Sequence, residues 1–206
     1  MARFETVLYF VDSESSTSEQ MRLAVARARA LGARLTFASV IAPNDSSLLG
    51  ERLAPRRLEE LSIDAETERL EQLVGPCREP DVEISTRVLV GDPAAAIVRA
   101  AVAEGYQMIW KAPTESRRLR DRILGSVDMR LLRVCPCPVG IMGTHRSEYA
   151  RRVTVAAVDV TSSPGAEAVK EDLNEKILDL SLTGLPEEDA QLHVVHACTC
   201  LRTVLQ

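Results

Sequence analysis

Short apolar runs alternate with amphipathic stretches along this chain, and near its end the alternation starts over. That succession restricts the possible folds more than any other feature of the sequence. The continuous apolar run 7–11 closes at Asp12 and reads as a strand buried on both faces, as in a parallel sheet. After the polar turn 13–18, Met21, Leu23, Ala24, Ala28 and Leu31 supply the apolar positions of a helix that Gly32 ends. The run 35–41 is a second strand, completing a βαβ unit whose crossover should be right-handed. Beyond the polar loop 42–54, Leu58, Leu61, Ala65, Leu70 and Leu73 predict a long helix over 55–74, broken by Gly75-Pro76. Alternation over 82–90 predicts a strand near a sheet edge. Asp92 as N-cap and Pro93 at the first helical position open a helix that stops at Gly105. A strand over 108–110, a helix over 123–134 and a strand over 139–142 complete a βαβαβαβαβ order across 3–143.

The pattern then repeats. Past a polar linker, 153–159 matches 6–12 in form, including the closing aspartate, here Asp159. A helix is expected over 167–182, and 190–195 mirrors 33–38. The expected organisation is a complete α/β domain over 1–143, a linker over 144–151, and an incomplete β-α-β copy over 152–206.

Composition excludes several classes. With 46% hydrophobic and 27% charged residues, the chain can bury a globular core and is not a disordered or fibrous one. A net charge of −5 argues against a general nucleic-acid binder. Aromatic residues are 3% of the chain, with Trp110 the single tryptophan, so base-stacking platforms are poorly supplied. No run of 18 apolar residues occurs and 1–20 lacks the parts of a signal peptide, so no membrane span is expected and the cytoplasm is the expected compartment. Five cysteines without a disulfide-scaffold spacing fit a reducing environment.

The segment Leu124-Gly125-Ser126-Val127-Asp128-Met129-Arg130-Leu131-Leu132-Arg133, followed by Cys137-Pro138-Val139, resembles the universal stress protein family. Val11-Asp12 at the end of the first strand, the second strand through Val40, and Gly91-Asp92-Pro93 before an apolar helix fall where that family has them. The resemblance covers 3–143 and recurs over 152–197, which is similar to the tandem, E-type branch with a truncated second domain; Leu173-Asn174-Glu175-Lys176 is also similar to that branch. It implies a Rossmann-like, adenine nucleotide alpha hydrolase-like sheet of order 3-2-1-4-5, with ligands at the carboxyl ends of the strands where the order reverses.

ATP-binding members of the family carry Gly-x-x-Gly, nine residues, then Gly-Ser after the fourth strand, where glycines let backbone N–H groups approach phosphates. Counting back from Gly125-Ser126 places the two earlier glycines at Ala112 and Glu115. The first has gained a methyl group, and the second a carboxylate where a triphosphate should lie. The residues of this nucleotide-loop remnant are Asp12, Val40, Lys111, Ala112, Glu115, Gly125, Ser126 and Val127, with Asp159 as the second-copy counterpart of Asp12. The expectation is a non-catalytic stress-response protein whose first domain needs no cofactor. An ATP- or ADP-binding, weakly hydrolysing switch and a module for an apolar or lipid-like small molecule are the alternatives. Lys111, at the end of the fourth strand, is expected to pair with Asp12 or Glu115, and no catalytic residue is expected. The incomplete copy implies a homo-oligomer, since a strand pair with one helix leaves apolar surface uncovered.

Three further groups invite functional readings. Arg117, Arg118, Arg120 and Arg122 could hold a phosphate or anionic headgroup, but Glu115 and Asp121 beside them suit a solvated face. His193, His196, Cys198 and Cys200 carry metal-ligand chemistry at a spacing that places the two histidines on opposite faces of a strand, so no metal is expected. Cys135-Pro136-Cys137 lacks the Cys-x-x-Cys spacing and is read as buried structure.

Overall fold

A computed structural model describes residues 4–12, 16–42, 55–113, 127–143, 152–159, 167–183 and 190–196. They divide into two compact units, within Phe4–His145 and Arg146–Gln206.

The first unit runs β1 (Thr6–Phe10), α1 (Ser18–Leu31), β2 (Arg34–Ile41), α2 (Pro55–Val74), β3 (Ile84–Val90), α3 (Pro93–Glu104), β4 (Met108–Lys111), α4 (Val127–Val134) and β5 (Val139–Ile141). Its five strands form one parallel sheet in the order β3-β2-β1-β4-β5, the doubly wound α/β arrangement that the alternation and the resemblance imply. The uninterrupted apolar run of β1 has its cause in this order, because the central strand is covered on both faces and Val7, Leu8, Tyr9 and Phe10 are all buried. Leu8 and Phe10 join Ala38, Ile97, Ala101, Ile109 and Leu131 in a core cluster under α3 and α4. Val7, Tyr9, Leu35 and Phe37 alternate with these residues and so face the other side, where right-handed crossovers place α1 and α2. There the Tyr9 and Phe37 rings pack at 5.4 Å between centroids.

The helix ends follow their local chemistry. Thr17 accepts a hydrogen bond from the Gln20 N–H (3.3 Å) while the Gln20 side chain accepts one from the Thr17 N–H (2.7 Å), a reciprocal capping box at the start of α1. Gly32 closes that helix at φ +64°, a conformation costly to any residue bearing a Cβ. Asp92 caps α3 through the Ala95 N–H, with Pro93 at the first position.

Two expectations are corrected. β3 starts at Ile84 rather than 82, because the turn through Gly75–Cys77 and a bond from the Val82 N–H to the Glu79 carbonyl (3.2 Å) hold 82 out of the ladder. Cys137 is half-buried rather than part of the closed core, since the prolines on either side hold the α4–β5 connection in a turn that reaches the surface at Pro136.

The second unit is a parallel βαβ: β6 (Arg152–Ala157), α5 (Glu167–Thr183) and β7 (Ala190–Val195). The Asn174 amide on α5 donates to the Asp159 carbonyl (2.8 Å) and accepts from the Asp159 N–H (3.0 Å), tying the end of β6 to the helix. Ala156 is buried, whereas Val155, Val194 and Val195 are 60%, 55% and 44% exposed. His193 is exposed on β7, and a ring nitrogen of His196 lies 3.0 Å from the Val158 carbonyl. Cys198, Cys200 and the arginines at 117, 118, 120 and 122 lie outside the described residues.

Candidate functional site

The strand order reverses between β1 and β4: the chain leaves β1 toward β2 and β3, then crosses back to β4 on the other side. In such sheets the crevice beyond the carboxyl ends of those two strands is where ligands collect. Five residues converge there: Asp12 just past β1, Lys111 as the last residue of β4, Ala112 after it, and Val127 and Asp128 in the first turn of α4.

Phe10 and Lys111 are partners in the β1–β4 register, so their side chains leave the sheet on the same face. The Lys111 ammonium lies 5.8 Å from the centroid of the Phe10 ring. Lys111 is 0% exposed. An ammonium taken out of water to that degree needs acceptors, or its lost hydration outweighs the packing its stem gains. Three surround it. Nζ stands 2.9 Å from Asp128 Oδ1 and 3.5 Å from Asp12 Oδ2, and it donates to the Ala112 carbonyl at 2.9 Å.

Each partner is held from its own element. The Asp12 N–H donates to Ser16 Oγ (3.0 Å) and its carbonyl accepts from the Ser16 N–H (2.9 Å), so the turn entering α1 sets the position of Asp12. Asp128 lies in the first turn of α4, where the unpaired backbone N–H groups favour a carboxylate. The Met142 N–H donates to the Lys111 carbonyl (2.8 Å), which fixes the end of β4 against the chain leaving β5. Arg130, two residues beyond Asp128, reaches the α3 cap and binds Asp92 through both carboxylate oxygens at 2.6 and 2.7 Å. That guanidinium, with the Ala95 N–H second, holds the Asp92 carboxyl below its usual range.

The pair expected between Lys111 and Asp12 is present, and the stronger partner, Asp128, is one that sequence reasoning missed. A signal for it existed, since Asp128 opens the helix after the Gly125-Ser126 pair and an acidic residue in a first turn points toward the strand ends. Ala112 is 0% exposed, and Val40 and Val127 are half-buried against the core cluster. Asp159 is half-buried at the corresponding end of β6 in the second unit. Glu115, Gly125 and Ser126 lie outside the described residues.

Among the described residues, two carboxylates and a backbone carbonyl engage the ammonium, so that two carboxylates stand against one ammonium. Two cavities lie away from this cluster: one of about 220 Å³ between β3 and α3, lined by Arg87, Leu89, Arg99 and Glu104, and one of about 180 Å³ lined by Arg34, Glu83 and Tyr106. Among the described residues no group of three or more histidine, cysteine or carboxylate side chains is placed to hold a metal ion. Nor is any helix among them long and apolar enough to cross a membrane.

Known proteins resemble this chain in sequence and fold. A universal stress protein of Thermus aquaticus, from the QAH/OAS sulfhydrylase 3' region, is 30% identical over 138 residues, which cover 66% of this chain and 96% of that protein. The solved structure of a universal stress protein in complex with cAMP superposes with a TM-score of 0.52 at 21% identity, over 70% of this chain and all of that one. A universal stress protein structure from Pseudomonas aeruginosa UCBPP-PA14 covers 94% of this chain with a TM-score of 0.56 at 22% identity, and this chain spans 61% of its length. Residues 3–143 match the universal stress protein family itself, and with the sheet order and these relatives that match means that the chain belongs to the universal stress protein family.

Proposed function

We propose that this chain is a non-catalytic stress-response protein of the tandem type, whose first domain has lost useful affinity for ATP. The observation that carries this reading is the ion cluster at the switch point. Among the described residues the Lys111 ammonium is already engaged by Asp12, Asp128 and the Ala112 carbonyl, which disfavours its pairing with a triphosphate. Ala112 and Glu115, standing where ATP-binding relatives have glycine, point the same way. The second unit repeats the strand–helix–strand order of the first and ends β6 at Asp159 as β1 ends at Asp12, which supports the tandem reading. Its exposed valines on β6 and β7 support a role in self-association.

Calorimetric titration of the full chain with ATP tests the proposal, with cAMP beside it because one universal stress protein has been solved with that ligand. No binding in the micromolar range is expected for ATP. Ala112→Gly with Glu115→Gly should raise the affinity measurably. Micromolar ATP binding by the unaltered chain would overturn the reading.

A further inference from the structure

Cys135 and Cys137 bring two sulfur nucleophiles into contact, well away from the switch-point cluster. Cys135 follows α4 directly, and its N–H closes the last helical turn onto the Leu131 carbonyl at 2.9 Å. Three residues on, the Pro138 carbonyl accepts from the Ile109 N–H at 2.9 Å and locks the entry of β5 to the sheet. The intervening backbone is anchored at both ends and carries Pro136, whose ring fixes φ. This turn holds the two Sγ atoms 3.6 Å apart. Both side chains are half-buried against the core cluster, while Pro136 between them is exposed, so the pair sits at the protein surface with a defined orientation.

We propose that Cys135 and Cys137 are a modification site, a vicinal dithiol that peroxide-class oxidants convert into an intramolecular disulfide. A disulfide needs sulfurs about 2.05 Å apart, which side-chain rotation within an anchored turn can supply from van der Waals contact. The electronic arrangement assigns the order of events. The hydrogen bond between the two sulfurs lowers the proton affinity of Cys135 and raises that of Cys137. The Cys135 thiolate sulfur attacks one peroxide oxygen, the O–O bond breaks, and the hydroxide released takes up the proton Cys135 had given to water. Cys135 is then a sulfenic acid. The Cys137 sulfur attacks the Cys135 sulfur, the S–O bond breaks, and the departing hydroxyl takes the Cys137 proton as water. Two thiols lose two electrons in total, and one hydrogen peroxide becomes two waters. A protein-bound pair of this kind, reversible by cellular thiols, suits a reducing compartment.

The test uses the full chain, treated with stoichiometric hydrogen peroxide, quenched by alkylation and digested with trypsin. Cleavage after Arg133 and Arg146 releases both cysteines and Met142 in one peptide that contains no other cysteine. The expected product is that peptide lighter by two hydrogens and unalkylated, formed before Met142 becomes a sulfoxide. Cys137→Ser should leave Cys135 trapped as a sulfenic acid by a dimedone-type probe, and Cys135→Ser should label roughly tenfold more slowly or less at Cys137. Full alkylation of both cysteines at peroxide levels that already oxidise Met142 would overturn the proposal. The wild-type peptide decides the disulfide even if either serine variant misfolds.

Discussion

Lys111 shows how one side chain changes the meaning of a ligand crevice. Its stem packs beside Phe10 in the sheet register, while its ammonium takes the acceptors that a crevice of this kind would otherwise turn outward. Lys111→Met leaves Asp12 and Asp128 facing one another without the cation, and it should cost about 3–5 kcal/mol in urea unfolding. Adding Asp12→Asn and Asp128→Asn should recover most of that loss, because replacing all members of a buried ion cluster is often near neutral. A loss for Lys111→Met below ~1 kcal/mol would place the cluster among the weak surface pairs instead. Tyr9 supplies a second test at this scale. Burial pushes its phenol up to about 12. The unfolded phenol ionises near ~10, so the stability from keeping Tyr9 neutral is complete below ~10 and is lost as pH rises through about 12. Ultraviolet titration should show a late-ionising tyrosine that Tyr9→Phe removes.

The elements differ in what sets them. α1 and α3 are set locally, by Thr17 with Gln20 and by Asp92 with Pro93; the start of α3 was legible from residue type, while for α1 the sequence marked only the polar turn 13–18. β5 is set by a neighbour. Gly140 stands opposite Trp110 in the β4–β5 register, and a Cβ built there would lie 2.9 Å from Trp110 Cδ1. The indole cannot easily retreat, since its N–H contacts Met108 Sδ at 2.8 Å. Gly140→Ala should therefore cost about 1–3 kcal/mol through overpacking. Trp110 is the single tryptophan, so a shift of its emission in the folded variant reports the same displacement. An unchanged spectrum and unchanged stability would mean that β5 moves outward instead.

At the scale of the whole chain, the described residues of the second unit form a strand pair with one helix and leave Val155, Val194 and Val195 exposed. The chain should self-associate in the micromolar range through residues 152–206, and Val155→Lys with Val194→Lys should shift sedimentation toward the monomer. A monomer for the unaltered chain across that range would count against it. The succession of elements was legible beforehand because apolar runs and caps are local signals, while the sheet order was what the family resemblance implied. The Lys111–Asp12 pair was expected because the strand order implied by the resemblance sets the ends of β1 and β4 side by side. Asp128 was not, because whether a first-turn carboxylate reaches the end of a strand depends on how α4 packs beyond it. The Cys135–Cys137 contact was not legible either, since Cys-x-Cys spacing sets the number of bonds between two sulfurs but leaves their distance to the turn that joins α4 to β5. Sequence alone determined the order of elements, their caps and the strand ends at which the site forms, because those depend on neighbours along the chain. Tertiary structure decided which charges meet and which sulfurs touch, because a contact between elements is a property of packing.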